Sequence, residues 1–386
     1  MTFAIDRSNW NRVKFGDVIT SVSERVDDPS SAGVDRYVGL EHLDPGSMTV
    51  TRWGTPDQVE AQKLRFQADD VIFGRRRAYQ KKVARADFEG ICSAHALVLR
   101  AKPGLMAPDF LPVFLSSEVF LDRAVKISVG SLSPTVNWKT LAAQEFILPP
   151  RAEQQRIADL LWGVEHATRS ARLVRESLAT VAELRADELL AWDASTKMLP
   201  CRELCTTITV GVVVRPTQYY AATGVPALRS LNVTRNGFVL DDLVYFDEKS
   251  HESLPKTTLR LGDVVVVRTG RPGEAAVVDA STAGNNAIDI IIARPGKDLA
   301  PEYLARFLNS RVGRAATLRT SAGTAQQHFN VGALSQLMIP ARSPQEQQRI
   351  VEELKQLDEA VASVDAEVAA AVTLREATSQ MVWESA

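Results

Sequence analysis

The chain has 386 residues, of which 45% are hydrophobic and 24% charged, and its formal net charge is −2. This length predicts two or three domains with sizeable cores, and the near-neutral charge leaves only a local basic cluster to indicate a nucleic-acid partner. No hydrophobic run reaches the roughly 18 residues of a membrane span. The odd cysteine count and the absence of a signal peptide favour a cytoplasmic protein with reduced thiols, and Cys201 and Cys205 lack a second pair at metal-ligand spacing.

The first 150 residues predict a strand-rich domain, because short β-prone runs alternate with Gly and Pro turns. Strands are expected in DVIF at 70–73 and HALVLR at 95–100, and between them GRRRAYQKK places five cations within eight residues. Such a cluster could neutralise phosphates and read guanine through arginine, although a solvated hairpin is the alternative. The candidate DNA contacts here are Arg75, Arg76, Arg77, Tyr79, Lys81 and Lys82.

A short helix preceded by Pro is expected at 109–118, and the polar loop KISVGSLSPTVNWK follows it. Serine can contact phosphates and lysine can neutralise them, so Ser131, Ser133 and Lys139 are further candidates. Asn137 fits a structural turn better than a base contact.

The segment 151–193 predicts a long helix without Pro and with almost no Gly. Its hydrophobic and small residues recur in alternating steps of three and four, which is the coiled-coil pattern. A helix of about 40 residues would be about 60 Å long, and its narrow stripe requires a partner. The predicted seam is Ile157, Leu160, Val164, Ala167, Ala171, Val174, Leu178 and Val181.

The second half repeats the first at an offset of 193 residues. The block LPPRAEQQRIADLL at 148–161 returns as IPARSPQEQQRIVEEL at 339–354, and Asp70 and Asp263 are another matching pair. The pattern predicts an α+β tandem duplication of a mixed, β-rich domain plus a long helix. The expected segments are 1–150, 151–193, 194–342 and 343–386.

The second repeat predicts strands in DVVVVRTG and AIDIIIARP and a helix at 302–310. Its hairpin carries fewer cations than the first, and its loop LRTSAGTAQQHFN offers glutamines that could pair with adenine. The candidates are Arg229, Arg268, Arg271, Arg319, Thr320, Gln326, Gln327 and His328. The seam predicted for its long helix is Ile350, Leu354, Leu357, Val361, Val364, Val368 and Ala371.

The two long helices are expected to pair with each other as an antiparallel coiled coil. Such pairing would hold two related domains at the ends of a rod, an arrangement suited to reading two patches of an elongated target. The alternative is two ordinary core helices in separate domains.

Together, these motifs resemble the specificity subunit of type I restriction-modification systems over essentially the full length. The repeated LPPRAEQQRIADLL and IPARSPQEQQRIVEEL are similar to the family's signature at the head of each spacer helix. FGRRRAYQKKVARADFEGICSAHALVLR is similar to a segment of its target-recognition domains.

The resemblance implies a non-catalytic subunit that binds double-stranded DNA at a bipartite, asymmetric site. It also implies two methyltransferase subunits and restriction subunits as partners. S-adenosylmethionine, ATP and magnesium would then belong to those partners and not to this chain.

The residues leave alternatives open. The sequence lacks a Walker loop and an Asn-Pro-Pro-Tyr-like methylation motif, but a free-standing nuclease or methyltransferase and a protein-binding scaffold remain alternatives. Residues Glu153, Gln154 and Arg156, with their copies Glu346, Gln347 and Arg349, could form a docking surface or could cap the helices.

Overall fold

The chain folds into two compact units in the computed structural model, which describes residues 7–321 and 329–383. The first unit extends to Leu173 and resumes at Asp365, and the second runs from Val174 to Val364. Each unit therefore contains most of one repeat and part of the long helix that belongs to the other repeat.

The first repeat alternates short strands with short helices before its long helix. Its strands are β1 Asn11–Lys14, β2 Ile19–Val22, β3 Arg25–Val26, β4 Tyr37–Val38, β5 Lys63–Phe66, β6 Val71–Phe73, β7 Val83–Arg85, β8 Gly90–Ser93, β9 Leu97–Ala101 and β10 Glu145–Leu148. Its helices are α1 Phe15–Val18, α2 Phe110–Leu115, α3 Glu118–Lys126, α4 Trp138–Ala142 and α5 Arg151–Leu190.

The second repeat follows the same plan. Its strands are β11 Met198–Pro200, β12 Cys205–Val210, β13 Tyr220–Ala221, β14 Val225–Leu228, β15 Val233–Thr234, β16 Gly237–Phe238, β17 Val244–Phe246, β18 Val264–Val267, β19 Ala275–Val277, β20 Asn286–Ala287, β21 Ile290–Pro295 and β22 Met338–Pro340. Its helices are α6 Cys201–Leu204, α7 Glu248–Ser253, α8 Pro301–Asn309, α9 Arg311–Ser321, α10 Val331–Gln336 and α11 Pro344–Trp383.

Sheet topology confirms the duplication. The order β2-β9-β6-β7 in the first unit corresponds to β12-β21-β18-β19 in the second, and both sheets are antiparallel. The second four-stranded sheet of each unit, β3-β5-β8-β4 or β13-β17-β14-β20, contains one parallel pair. The pairs β1-β10 and β11-β22 are also equivalent. The α+β fold class and its tandem arrangement are as predicted.

An ion pair at the start of the central strands recurs in both units. The Asp70 carboxylate accepts from Arg100 Nε at 2.6 Å, and the Asp263 carboxylate accepts from Arg294 Nε at 3.1 Å. Each aspartate also accepts a hydrogen bond from the backbone N–H three residues earlier. These bonds satisfy a buried charge, which explains why the aspartate match survives in the repeat.

The helix predicted at 109–118 corresponds to α2 but ends earlier, at Leu115, because Ser117 adopts an extended backbone and caps a separate helix, α3. Its φ and ψ are −73° and 148°, and its hydroxyl accepts from Phe120 N. The side-chain cap stabilises a new helix start there, so the chain turns between α2 and α3. The corresponding prediction at 302–310 agrees with α8.

The long helices α5 and α11 each span 40 residues and pair in an antiparallel fashion. In the first unit, Glu165 of α5 pairs with Arg375 of α11 at 2.9 Å. In the second unit, Arg185 of α5 pairs with Glu353 of α11 at 2.6 Å. From the first of these ion pairs to the second, the residue number increases along α5 and decreases along α11, so the predicted antiparallel pairing is confirmed.

The seam predicted for α11 is confirmed, since all seven of its residues are buried or half-buried. Of the eight residues in the seam predicted for α5, five are buried or half-buried, but the prediction is wrong for Ala167, Val174 and Val181, which are exposed. Val174 and Val181 are 54% and 53% exposed, whereas Glu165 and Thr168 are buried. The polar pair occupies the inner face because Arg375 satisfies Glu165 and the Thr168 hydroxyl bonds to the carbonyl of Val164 at 2.8 Å.

The far end of each long helix completes the core of the unit that it enters. Trp383, at the end of α11, lies 5.9 Å from Trp10 and 5.6 Å from Phe114 between ring centroids. Leu189 and Leu190, at the end of α5, are buried in the core of the second unit. Hydrophobic burial at both ends therefore fixes the pairing of the helices.

Candidate nucleic-acid interface

The basic segment of the first unit is a hairpin that joins β6 to β7. Gly74 N donates to Lys82 O at 2.9 Å, and a 3-10 turn at Ala78–Gln80 forms the tip. Arg77 and Lys81 flank this turn with φ of 55° and 53°, in the left-handed region. Each such residue costs roughly 1–2 kcal/mol, so contacts outside the turn must hold this conformation.

Three of the five cations in the hairpin have partners within the first unit. Lys81 pairs with Glu118, Lys82 donates to the carbonyl of Leu40, and Arg76 Nη1 lies 3.3 Å from His95 Nε2. Burial and then the charge of Arg76 lower the pKa of His95. His95 is therefore neutral near pH 7, and its ring nitrogen can accept from the guanidinium.

Arg77 and Tyr79 are the outward-facing residues of the hairpin. Arg77 is exposed and its side chain forms no hydrogen bond or ion pair with the described part of the chain, and Tyr79 is 52% exposed. Arg75 is half-buried, and within residues 7–321 and 329–383 its Nε has no partner. The predicted cluster thus contains one fully presented cation and not five.

The polar loop of the first unit forms a second, smaller turn beside this hairpin. Val129 and Thr135 exchange backbone hydrogen bonds of 3.1 and 3.0 Å, and the turn between them ends at Pro134. Ser131 is exposed and Ser133 is half-buried, as is Thr135, which donates from its hydroxyl to the Ser133 carbonyl at 3.1 Å.

The structure joins these two segments, which the sequence offered as separate candidates. Arg77 N donates to Pro134 O at 2.7 Å, and Val136 N donates to Arg75 O at 2.9 Å. The basic hairpin and the polar loop therefore form one braced surface, called here the hairpin-loop surface, which comprises residues 74–82 and 128–137. Lys139 lies exposed in α4 just beyond it.

The second unit repeats one of these bonds at the equivalent positions. Phe329 N donates to Arg268 O at 3.2 Å, as Val136 N does to Arg75 O. The hairpin between β18 and β19 is therefore connected to the residues before α10 in the same way.

The cations of the second hairpin have internal partners. Arg268 pairs with Asp289, and Arg271 pairs with Glu274 at 2.7 Å. Arg229 lies in a neighbouring turn and pairs with Asp242 at 3.2 Å. A contact between these arginines and DNA would have to compete with the carboxylates.

Other candidates of the second repeat lie at the end of α9 or beyond it. Arg319 is exposed and its Nε donates to the Ala315 carbonyl at 3.2 Å. Thr320 belongs to α9, and the position of its side chain is not described. Gln326, Gln327 and His328 lie outside the described residues.

Comparison with known proteins identifies the family. The model of the family described as "Type I restriction modification DNA specificity domain" matches residues 7–171 and 231–370, which is more than half of the chain. The chain belongs to this family.

Individual relatives are distant. The specificity subunit of the type I restriction enzyme EcoDI from Escherichia coli is 24% identical over 152 residues, which cover 39% of this chain and only 33% of that protein. A solved structure concerning complex assembly and conformational transition of the type I R-M system matches with a TM-score of 0.62 at 19% identity, over 97% of this chain and 96% of that one. The type I S subunit from M. genitalium matches with a TM-score of 0.60 at 13% identity, over the same shares. These two likenesses show that the fold is shared.

The repeated motif at the head of each long helix contains a buried glutamine, Gln154 or Gln347, that acts as a clamp. Gln154 accepts from Ala107 N at 2.9 Å and donates to Pro149 O at 2.9 Å. Gln347 accepts from Ala300 N at 2.7 Å and donates to the carbonyl of Arg342 at 2.9 Å. Both side chains thus tie the long helix to the start of a preceding short helix. This role differs from both roles predicted from the sequence, which were partner docking and helix capping.

Among the other residues of this motif, one caps its helix and two are exposed. Glu346 accepts from the backbone and hydroxyl of Ser343, and these bonds lower its pKa. Glu346 N donates in return to the Ser343 hydroxyl at 3.3 Å, so the two residues form a complete capping box. Arg156 and Arg349 are exposed, and Arg349 lies 3.8 Å from the Glu353 carboxylate one turn further along α11.

Asn137 was expected to serve as a turn residue, and Asn330 occupies the matching position in the second repeat. Asn330 precedes α10 and its side-chain Oδ1 accepts from Ala333 N at 2.9 Å, which is an N-cap contact. Asn137 occupies the same position before α4 without a side-chain cap bond.

The described residues contain neither a metal-binding cluster nor a membrane-spanning helix. Residues 7–321 and 329–383 contain no group of three or more His, Cys, Asp or Glu side chains that could hold a metal. In the same ranges no helix is long and hydrophobic enough to cross a membrane.

Sequence reasoning missed the brace between hairpin and loop, and it missed His95 as the partner of Arg76. Both contacts join residues far apart in the chain. A lone histidine in a loop carries no signal of its own.

Proposed function

We propose that this chain is the DNA-binding specificity subunit of a type I restriction-modification complex and that it reads a bipartite, asymmetric site. The observation that carries the proposal is the hairpin-loop surface, together with the matching backbone bond in the second unit. One framework with different side chains in each copy suits the recognition of two different half-sites. Family membership supports the same proposal.

The partners follow from this role. Double-stranded DNA binds the two units, and two methyltransferase subunits and the restriction subunits dock on the chain. The chain itself performs no catalysis. S-adenosylmethionine is bound by the methyltransferase subunits, ATP and magnesium by the restriction subunits, and the complex works in the cytoplasm.

Methylation with and without the partner tests this proposal. The chain is purified alone and in complex with the methyltransferase from the same genome, and each sample receives S-adenosylmethionine and genomic DNA. The complex should methylate one bipartite motif, which sequencing of modified bases identifies, and the chain alone should methylate nothing. Methylation or cleavage by the chain alone would favour the enzyme alternative.

Arg77 is the best single residue with which to test the surface. If it contacts a phosphate, Arg77→Ala should reduce the slope of log affinity against log salt by about 0.9. If it contacts guanine, the change should cost about 1–3 kcal/mol and relax one base position. Lys14→Ala is a matched control, since Lys14 is an exposed cation on β1 of the same unit. Equal binding by both variants and the wild type would remove Arg77 from the interface.

A further inference from the structure

Leu132 stands at the tip of the polar loop and is 90% exposed. Among the side chains that the structure describes, no other large hydrophobic residue is as exposed, and Val129 in the same loop follows at 77%. Single exposed hydrophobic residues are common on protein surfaces, so exposure by itself assigns no role.

The rigidity of the loop distinguishes this leucine. Backbone bonds between Val129 and Thr135 close the turn, and Gly130 enters it with a φ of 120°, which favours glycine. The bond from Arg77 N to Pro134 O then fixes the turn to the basic hairpin. Leu132 is thus held outward on a braced support and does not fold back onto its own unit.

The surroundings of Leu132 match the chemistry of DNA. Its sequence neighbours are Ser131 and Ser133, whose hydroxyls suit phosphate oxygens. The exposed Arg77 belongs to the adjoining turn and supplies positive charge. A hydrophobic side chain makes no favourable contact with phosphates, but it can pack favourably against the faces of bases and against the thymine methyl group.

We propose that Leu132 is a hydrophobic base contact of the first half-site, buried against base surface when the duplex binds. This inference rests on the proposed function and adds a specificity-determining residue to it. The contact takes one of two forms with the same chemistry: a wedge between two base pairs, or packing against a thymine methyl group.

The test uses the complex of the full chain with its methyltransferase and a duplex that carries the motif found by methylation mapping. Leu132→Ser should bind this duplex about 10- to 100-fold more weakly, since a buried leucine side chain contributes that much. The salt slope should not change, because no phosphate contact is lost. Thermal unfolding should also match the wild type, because Leu132 is not part of the core.

Two further variants control this result. Leu132→Met keeps a hydrophobic side chain and should recover most of the affinity. Leu105→Ser alters another leucine of the first unit, 55% exposed and in a different turn, and should bind as the wild type does. Binding by Leu132→Ser equal to that of Leu105→Ser would overturn the proposal, as would a loss of methyltransferase assembly without a loss of affinity per complex.

Two modified duplexes identify the form of the contact. A wedge should raise the fluorescence of 2-aminopurine in the half-site with wild type and not with Leu132→Ser. A methyl contact should make uracil in place of thymine weaken wild type and leave Leu132→Ser unaffected. If neither duplex distinguishes the two proteins, Leu132 does not contact bases. If the wild-type complex prefers no motif at all, the proposed function itself fails, which is a different result.

Discussion

Replacing Arg375 with methionine should destabilise the first unit by about 2–4 kcal/mol. Arg375 Nη1 lies 2.9 Å from Glu165 Oε2 and also donates to the carbonyl of Gly46. The other carboxylate oxygen of Glu165 accepts from Met48 N at 3.3 Å. This one ion pair therefore connects both long helices and a loop of the globular part of the unit.

The magnitude follows from burial. The side chain of Glu165 is only 9% exposed and that of Arg375 is 22% exposed. Without Arg375, the carboxylate keeps one backbone donor in a site from which water is largely excluded. Loss of one partner from a fully buried pair costs about 3–5 kcal/mol, and the partial exposure of Arg375 reduces this figure.

Urea unfolding of the full chain, followed by tryptophan fluorescence, measures the effect. Trp10 and Trp383 pack against each other in the first unit and report on its unfolding. Arg375→Met, Glu165→Gln and the double variant form a thermodynamic cycle. The double variant should be more stable than Arg375→Met alone, because it leaves no buried charge.

Arg12→Met is the matched control in the same unit. Arg12 and Glu145 form a surface pair at 3.5 Å with side chains 69% and 44% exposed. Such a pair contributes about 0–1 kcal/mol. If Arg375→Met costs no more than Arg12→Met, or if the two single changes simply add, the ion pair does not hold the helices in the way argued here.

Three other predictions concern separate features. Cys205 should react with iodoacetamide before the buried Cys92, because a hydrogen bond from the Cys201 thiol lowers the pKa of Cys205, whereas burial raises the pKa of Cys92. Peptide mass spectrometry after labelling at pH 8 measures the two rates, and equal labelling of the two cysteines would contradict the prediction. Asp69→Gly should raise the free energy of unfolding in urea by about 0.5 kcal/mol, because Asp69 has a φ of 70° at the position where the second repeat has Gly262 with a φ of 82°. Asp69→Ala should not raise it. Equal stability of the two variants would refute the argument that Asp69 is strained. One heptad inserted into each long helix lengthens the helix by about 10 Å, which corresponds to about three base pairs of DNA. Methylation mapping should then show either a longer gap between the half-sites or no methylation. Full activity at the original gap would show that the helices do not set its length.

Sequence periodicity predicted the whole seam of α11 but only part of the seam of α5, and the difference has a physical cause. In α11 the inner positions are mostly aliphatic, so hydrophobicity and burial coincide. In α5 the inner face includes Glu165 and Thr168, which are satisfied by an arginine of the other helix and by a local backbone carbonyl. A pattern search places hydrophobic residues inside, and it therefore selected Val174 and Val181, which are exposed.

Prediction of the candidate interface from the sequence was limited in a similar way. The sequence displays five cations close together, but it does not display Glu118 or the carbonyl of Leu40, which occupy two of them. These partners come from 37 and 42 residues away in the chain. Charge clusters can be read from a sequence, whereas the fraction of that charge left for a ligand depends on long-range packing.

The two repeats agree where the framework is built and differ where a ligand would be met. The buried glutamine clamp and the aspartate-arginine ion pair recur with nearly the same partners in both units. The hairpins differ: the Arg77 side chain has no partner within the described residues, whereas the exposed Arg271 donates to Val233 O at 3.0 Å and pairs with Glu274. This divergence at the hairpins, on a retained framework, supports the proposed recognition of two unlike half-sites.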